Sequence, residues 1–176
     1  MSPRGRSDSH FKEATRVMEA ALEPAFRRSQ ASDLAAVLAL LKGAGLPTDD
    51  LTIAPGLHFW VLESEKDLFG VIGLERFGAA ALLRSLAIAP GRQGRGWGRQ
   101  LVTRLEREAQ ADGVEQLVLL TETAEAFFRG LGFGVIDRGY VIEELKQSAE
   151  FRSLCPGSAV CMTKSLASPS SEARQG

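Results

Sequence analysis

Leu34, Val37, Leu38 and Leu41 recur at helical spacing, and the stripe stops at Gly43 and Gly45, which predicts an amphipathic helix with Ser32 as its N-cap. Residues 24–28, just before it, read as a short strand. Beyond the helix the period changes. Residues 59–63 alternate as a strand, 64–67 turn, 68–76 return, Gly78 permits a second turn, and 80–88 form a third strand. These three predict an antiparallel meander.

Pro90 and Gly91 end that strand, and a glycine-rich loop follows. Leu101, Val102, Leu105 and Ala109 then mark a second amphipathic helix that ends at Asp112 and Gly113. Residues 116–120 are short, apolar and buried in character. Coming after a strand and a helix, they should run parallel to residues 80–88 through a right-handed crossover. Thr123 is placed to cap a helix containing Phe127 and Phe128 that stops at Gly132, with a strand over 134–137, a helix over 141–150 and a last strand over 159–164. The fold class is α/β: a mixed sheet with antiparallel N-terminal strands, a parallel central pair and helices on both faces.

Residues 1–20 are polar and mixed, and read as a flexible tail beside a short apolar helical stretch at 17–22. Residues 167–176, rich in Ser and polar groups, read as a disordered tail. A single domain over 21–166 suits a 176-residue chain.

A net charge of −1 argues against nucleic acid as the main partner, since phosphate binding shows itself as a basic excess. No apolar run approaches the roughly 18 residues of a membrane-spanning helix, and the N-terminus carries Arg and Glu where a signal peptide is apolar. The expected location is the cytoplasm. The two cysteines, Cys155 and Cys161, are too few for a disulfide scaffold, and with two His they give no paired zinc-ligand spacing. No metal is expected.

The chemistry concentrates where the strand over 80–88 enters Gln93-Gly94-Arg95-Gly96-Trp97-Gly98 and a helix. Alternate glycines let successive N–H groups face one point, and the helix adds the positive end of its dipole, so a diphosphate fits there. A dinucleotide fingerprint would need Gly at Arg99 or at Leu101, and a nucleoside-triphosphate loop would need Gly-Lys followed by Ser or Thr. Neither pattern is present.

Residues 93–98, after a strand ending in Ile88-Ala89-Pro90, resemble the Gln/Arg-x-x-Gly-x-Gly/Ala motif of GNAT acetyltransferases. The likeness continues through residues 124–133 with their closing Leu-Gly-Phe, and covers roughly residues 31–164. Within the superfamily, Leu82-Leu83-Arg84-Ser85-Leu86-Ala87, Thr121-Glu122-Thr123-Ala124-Glu125 and Phe151-Arg152-Ser153-Leu154-Cys155-Pro156 are similar to acetyltransferases associated with arsenic-resistance operons.

The resemblance implies an N-acetyltransferase using acetyl-CoA to acetylate a small, amino-acid-like amine, as monomer or homodimer. The parallel strands would splay to admit pantetheine beside Leu86, Ala87 and Ile88, where a main-chain N–H polarises the thioester carbonyl. Gln93, Gly94, Arg95, Gly96, Trp97, Gly98 and Arg99 would hold the diphosphate end, with Arg92, Arg95 or Arg99 near the remaining phosphate and Phe128 against pantetheine.

Direct attack needs a neutral amine, so a base is useful; Glu75 and Glu122 are candidates, with His58 a third. The family's usual Tyr acid is missing, because the matching segment reads Ala126-Phe127-Phe128-Arg129; Ser85, Tyr140 or water are the substitutes. Arg84, a charge in an apolar strand, either binds a substrate carboxylate or is paired with the protein's own acids. Arg152 is a second carboxylate candidate. Two alternatives stay open: a non-catalytic acyl-CoA-binding module, and a thiol site for arsenite at Cys155 and Cys161, against which stands the usual burial of free Cys.

Overall fold

The computed structural model describes residues 23–52, 54–65, 67–154 and 156–166. The expected tails and Cys155 lie outside them. Seven strands form one sheet: β1 (Ala25–Arg28), β2 (Leu57–Ser64), β3 (Asp67–Phe77), β4 (Ala80–Ile88), β5 (Gln116–Thr121), β6 (Gly134–Val135) and β7 (Val160–Ser165), in spatial order β1-β2-β3-β4-β5-β7-β6. Only β4 and β5 are parallel; the other neighbours are antiparallel.

Strand alternation sends β2 side chains to opposite faces, and each face finds a helix. Helix α1 (Leu34–Gly43) lays Val37 and Leu41 on Phe59, Val61, Val71 and Ala87. On the other face α2 (Trp97–Ala111) buries Leu101, Val102, Leu105 and Ala109 against Leu62, Ile72, Leu74, Leu83 and Leu117. Each fully buried Leu contributes about 1.5–3 kcal/mol, so these two stripes fix both helices to the sheet. Helix α4 (Glu143–Lys146) adds Leu145 to a smaller cluster with Leu82, Val118 and Cys161.

Four local expectations are corrected. Ser32 does not cap α1: a short turn (Ala31–Asp33) precedes it, and the Asp33 carboxylate accepts from Gln30 N at 2.6 Å. Helix α3 (Glu125–Arg129) starts after Ala124, whose N–H donates to Thr121 Oγ1 at 3.0 Å, so Thr121 rather than Thr123 closes that turn; its far end is stopped by Gly132 as expected, at φ +91, with Phe133 N–H donating back to the Phe128 carbonyl at 3.1 Å. β6 is two residues long, where four were expected. The helix expected over 141–150 is only the single turn of α4, followed by a separate wide, π-type turn (Glu150–Leu154). That break turns Glu150 inward, where it meets Arg84.

Candidate active site

β4 and β5 pair only from Ala80↔Gln116 to Leu82↔Val118, although β4 continues to Ile88 and β5 to Thr121. Beyond Leu82 the strands part. β3 still holds the far side of β4 as far as Ile88, and β7 holds β5 along its length, so the gap opens between two supported edges. Main-chain groups of β4 that would bond a neighbouring strand face a cleft instead, which is the opening an extended thioester arm requires.

Within that opening β4 carries an irregularity. Val71 pairs with Ala87 but Gly73 with Arg84, so the register shifts, and Ser85 adopts φ +56. A non-glycine residue in the left-handed region is uncommon and marks a place where the strand re-aims its groups. Gly73 is needed opposite, because a Cβ there would lie 3.0 Å from the Phe59 ring and 3.3 Å from the Arg84 carbonyl oxygen.

A cavity of about 410 Å³ lies at the outer end of β4, lined by Ile88 and by Arg92, Gln93, Gly94, Gly96, Trp97, Gly98 and Arg99, with Phe127 opposite. Gly94 and Gly96 take φ +74 and +81, and Gly96 is the N-cap residue of α2. The first-turn amides of α2 therefore remain free of helical acceptors at the positive end of its dipole. Gln93 Nε2 donates to the Ile88 carbonyl at 3.1 Å, tying the loop to the strand end. Of the residues expected here, Arg95 is exposed and does not line the cavity, and Ala87 is buried on the α1 side. Among the described residues, buried Trp97 Nε1 has no hydrogen-bond partner.

A second cavity, of about 620 Å³, follows along the same strand, with Leu83, Arg84, Ser85 and Leu86 on one wall and residues 119–124 with Phe128 on the other. Glu150 closes its inner side. Here Arg84, with a fully buried side chain, meets three carboxylates. Nη1 and Nη2 donate to Asp50 at 2.5 and 2.8 Å, and Nη1 also to Glu75 at 3.2 Å. Nε lies 3.2 Å from Glu150 Oε1, yet has no hydrogen-bond acceptor among the described residues.

Burial favours neutral forms, and the acids respond accordingly. Burial pushes the Glu150 carboxyl up to about 7, against the pull of Arg84 and with Asp50 and Glu75 adding to the push. Burial also raises Glu75, which Arg84 only partly counters. Burial opposes the charge on Arg84, but the hydrogen bond to Asp50 and the charges of Glu150, Asp50 and Glu75 outweigh it and hold the guanidinium above its ordinary value.

Of the candidate catalytic residues, Ser85 and Glu122 line the second cavity, Glu122 from an exposed position. Glu75 does not line it; its carboxylate accepts from Arg84, so it holds the guanidinium rather than facing the cleft. His58 is exposed and Tyr140 is 86% exposed, and neither lines the cavities described. Arg84 is engaged by internal acids, the second of its two expected fates. Arg152 is exposed and does not line the second cavity, whereas Glu150, two residues earlier, does. Phe128 lines the second cavity. Cys161 is buried in β7 beside Leu82 and Leu145, and burial raises its thiol pKa. Sequence reasoning missed Asp50 and Glu150, because nothing local distinguishes either from a solvated acid. Among the described residues no group of three or more His, Cys, Asp or Glu could hold a metal ion, and no helix is long and apolar enough to cross a membrane.

Residues 55–135, from just before β2 to the end of β6, match the family model described as the acetyltransferase (GNAT) domain. The chain is similar to N-acetylglutamate synthase from Neisseria gonorrhoeae, solved with coenzyme A and N-acetyl-glutamate, at 19% identity and TM-score 0.70, over 82% of this chain and 35% of that one. It thus spans about a third of that protein's length. Rv2747 from Mycobacterium tuberculosis, solved with CoA and a second ligand, matches at 26% identity and TM-score 0.69, over 82% of this chain and 100% of that one. Tetrahymena GCN5 matches at 17% identity and TM-score 0.64, over 83% of this chain and 97% of that one. The fold is that of GNAT acetyltransferases.

Proposed function

We propose, with the GNAT domain over residues 55–135 as premise, that this chain is an acetyl-CoA-dependent N-acetyltransferase. The observation that carries the reading is the parting of β4 from β5 after Leu82, with a glycine-built anion cradle at one end of the gap and an acid-lined chamber at the other. The cradle offers first-turn amides of α2 to the diphosphate. The cleft takes the pantetheine arm beside Leu86 and Ile88, and the irregular Ser85–Leu86 step supplies a preorganised donor to the thioester carbonyl. The amine then attacks directly, with no covalent acetyl-enzyme.

The acceptor is a small-molecule amine, and a chamber of about 620 Å³ falls within the usual range for small-ligand sites. An amino-acid-like acceptor, with an arsenic-containing amino acid as its narrowest form, rests on the likeness of residues 82–87, 121–125 and 151–156 to arsenic-associated acetyltransferases; Arg84, engaged by Asp50, Glu75 and Glu150, does not contribute to it. A cytoplasmic monomer or homodimer suits a reduced, buried Cys161 and a chain without a basic excess.

Release of free thiol from acetyl-CoA tests the reading, using a panel of amino acids, an arsenic-containing amino acid and simple alkylamines. Turnover of at least one amine is expected. A second reading, acyl-CoA binding without transfer, is favoured by the Phe127–Phe128 pair where the family commonly has a Tyr acid. Binding of acetyl-CoA with no turnover across the whole panel would select it.

A further inference from the structure

The acids around Arg84 outnumber it. Asp50, Glu75 and Glu150 place three carboxylates against one guanidinium, so the cluster carries two excess negative charges when all are ionised. Asp50 and Glu75 are hydrogen-bonded to Arg84 and turned to it. Glu150 differs. Among the described residues no donor is hydrogen-bonded to its carboxylate, its ion pair with Arg84 Nε is not aligned as a hydrogen bond, and it lines the chamber into which Ser85 and Leu86 also face. A buried carboxylate without a donor is costly unless something supplies one. The wide turn that carries Glu150 is a geometry that recurs at functional sites.

We propose that Glu150 is the catalytic base of this chain: it receives the acceptor as an ammonium ion, which cancels one of the cluster's two excess negative charges, and takes one proton from it. The proposal rests on the acetyltransferase reading. The charged groups facing Glu150 are Arg84 from β4, Asp50 from the segment before β2, and Glu75 from β3, with Glu122 at the chamber's exposed rim. Burial, opposed by Arg84 and reinforced by Asp50 and Glu75, raises the Glu150 pKa to about 7, where a base is half ionised and most effective at pH 7.

The step balances as follows. The ammonium gives a proton to the Glu150 carboxylate, and the freed nitrogen lone pair forms the C–N bond to the thioester carbonyl carbon. As the carbonyl re-forms, the C–S bond breaks and the electron pair leaves with sulfur. The remaining surplus proton on nitrogen passes to the thiolate, and Glu150 returns its proton to solvent. The need is quantitative, because a primary amine of pKa about 10.4 is less than ~0.1% neutral at pH 7.

Wild type and Glu150→Gln are compared by thiol release on two kinds of acceptor: glutamate and n-butylamine, which are ammonium ions at pH 7, and hydroxylamine, which is largely uncharged. On the ammonium acceptor the variant should lose about 10²- to 10⁴-fold in kcat, with acetyl-CoA affinity unchanged. On hydroxylamine it should stay within about threefold of wild type, since no proton must be removed before attack. The wild-type rate should fall tenfold per pH unit below about 7. That limb should be absent in the variant, whose rate on the ammonium acceptor climbs instead toward the amine's own pKa. Equal losses on both kinds of acceptor would mean a merely structural role and overturn the proposal, as would an unchanged variant. A wild type inactive on every probe would overturn the acetyltransferase reading itself, and this proposal with it.

Discussion

The two ends of the cleft are built from different materials. At the cradle the working groups are main-chain amides, positioned by Gly94 and Gly96 at positive φ and by the start of α2. At the chamber they are side chains from four separated places, Asp50, Glu75, Arg84 and Glu150, brought together only by the assembled sheet and the inward turn after α4. A site made of backbone depends on local conformation, so it tolerates changes elsewhere and fails when its glycines change. A site made of buried charge depends on the whole fold and on pH.

The largest separation of the two should come from Arg84→Met. Removing the one cation leaves three buried carboxylates unpaired, a loss of about 3–5 kcal/mol, read as a fall of roughly 10 °C in melting temperature at pH 7. The deficit should shrink on acidification as Glu150 and Glu75, both raised by burial, protonate. A melting temperature unchanged at neutral pH would show that the cluster is not a closed charge system.

The pH dependence of wild-type stability is a finer probe. Glu150 has its folded pKa raised to about 7, well above the ordinary carboxylate value it has unfolded. The folded state therefore holds the extra proton, and its stabilising effect is full below about pH 4.5 and lost as pH rises through 7. Wild-type stability should fall across that window by an amount on the order of 3 kcal/mol from this group, while Glu150→Gln should flatten the slope. Chemical denaturation at pH 5 and pH 8 makes the comparison.

At the cradle a smaller, local effect is expected. Gly94 has open space around a built Cβ, so Gly94→Ala meets only the cost of holding a left-handed residue, about 1–2 kcal/mol. Acetyl-CoA affinity should drop by about tenfold, with the chamber's pH behaviour untouched. A change in that pH behaviour would mean the two ends are coupled.

The same contrast explains what was legible in the sequence. Meander, crossover and cradle were readable because each is written in adjacent residues: alternation in β2 to β4, the stripe Leu101, Val102, Leu105 and Ala109, and the glycines before it. Arg84 was conspicuous as a lone charge in an apolar strand. Its partners were not, since Asp50 lies 34 positions away and Glu150 sits where helical periodicity continued from residue 141. That pattern predicted one helix, but the chain breaks after α4 and turns Glu150 inward. Periodicity reports which residues share a face; it does not report that one buried guanidinium will draw three acids. Charge alone points to Arg152, whereas Glu150, on the same turn, is the residue that lines the chamber.

Titration calorimetry of acetyl-CoA into the folded wild-type chain and into Gly96→Glu tests the central claim most directly. The account predicts saturable, one-to-one binding to the wild type, and affinity at least ~100-fold weaker in the variant, where a strained left-handed residue and a negative side chain meet the diphosphate at the α2 N-terminus. A well-folded wild type that takes up no acetyl-CoA, or a variant that binds it equally well, would contradict it.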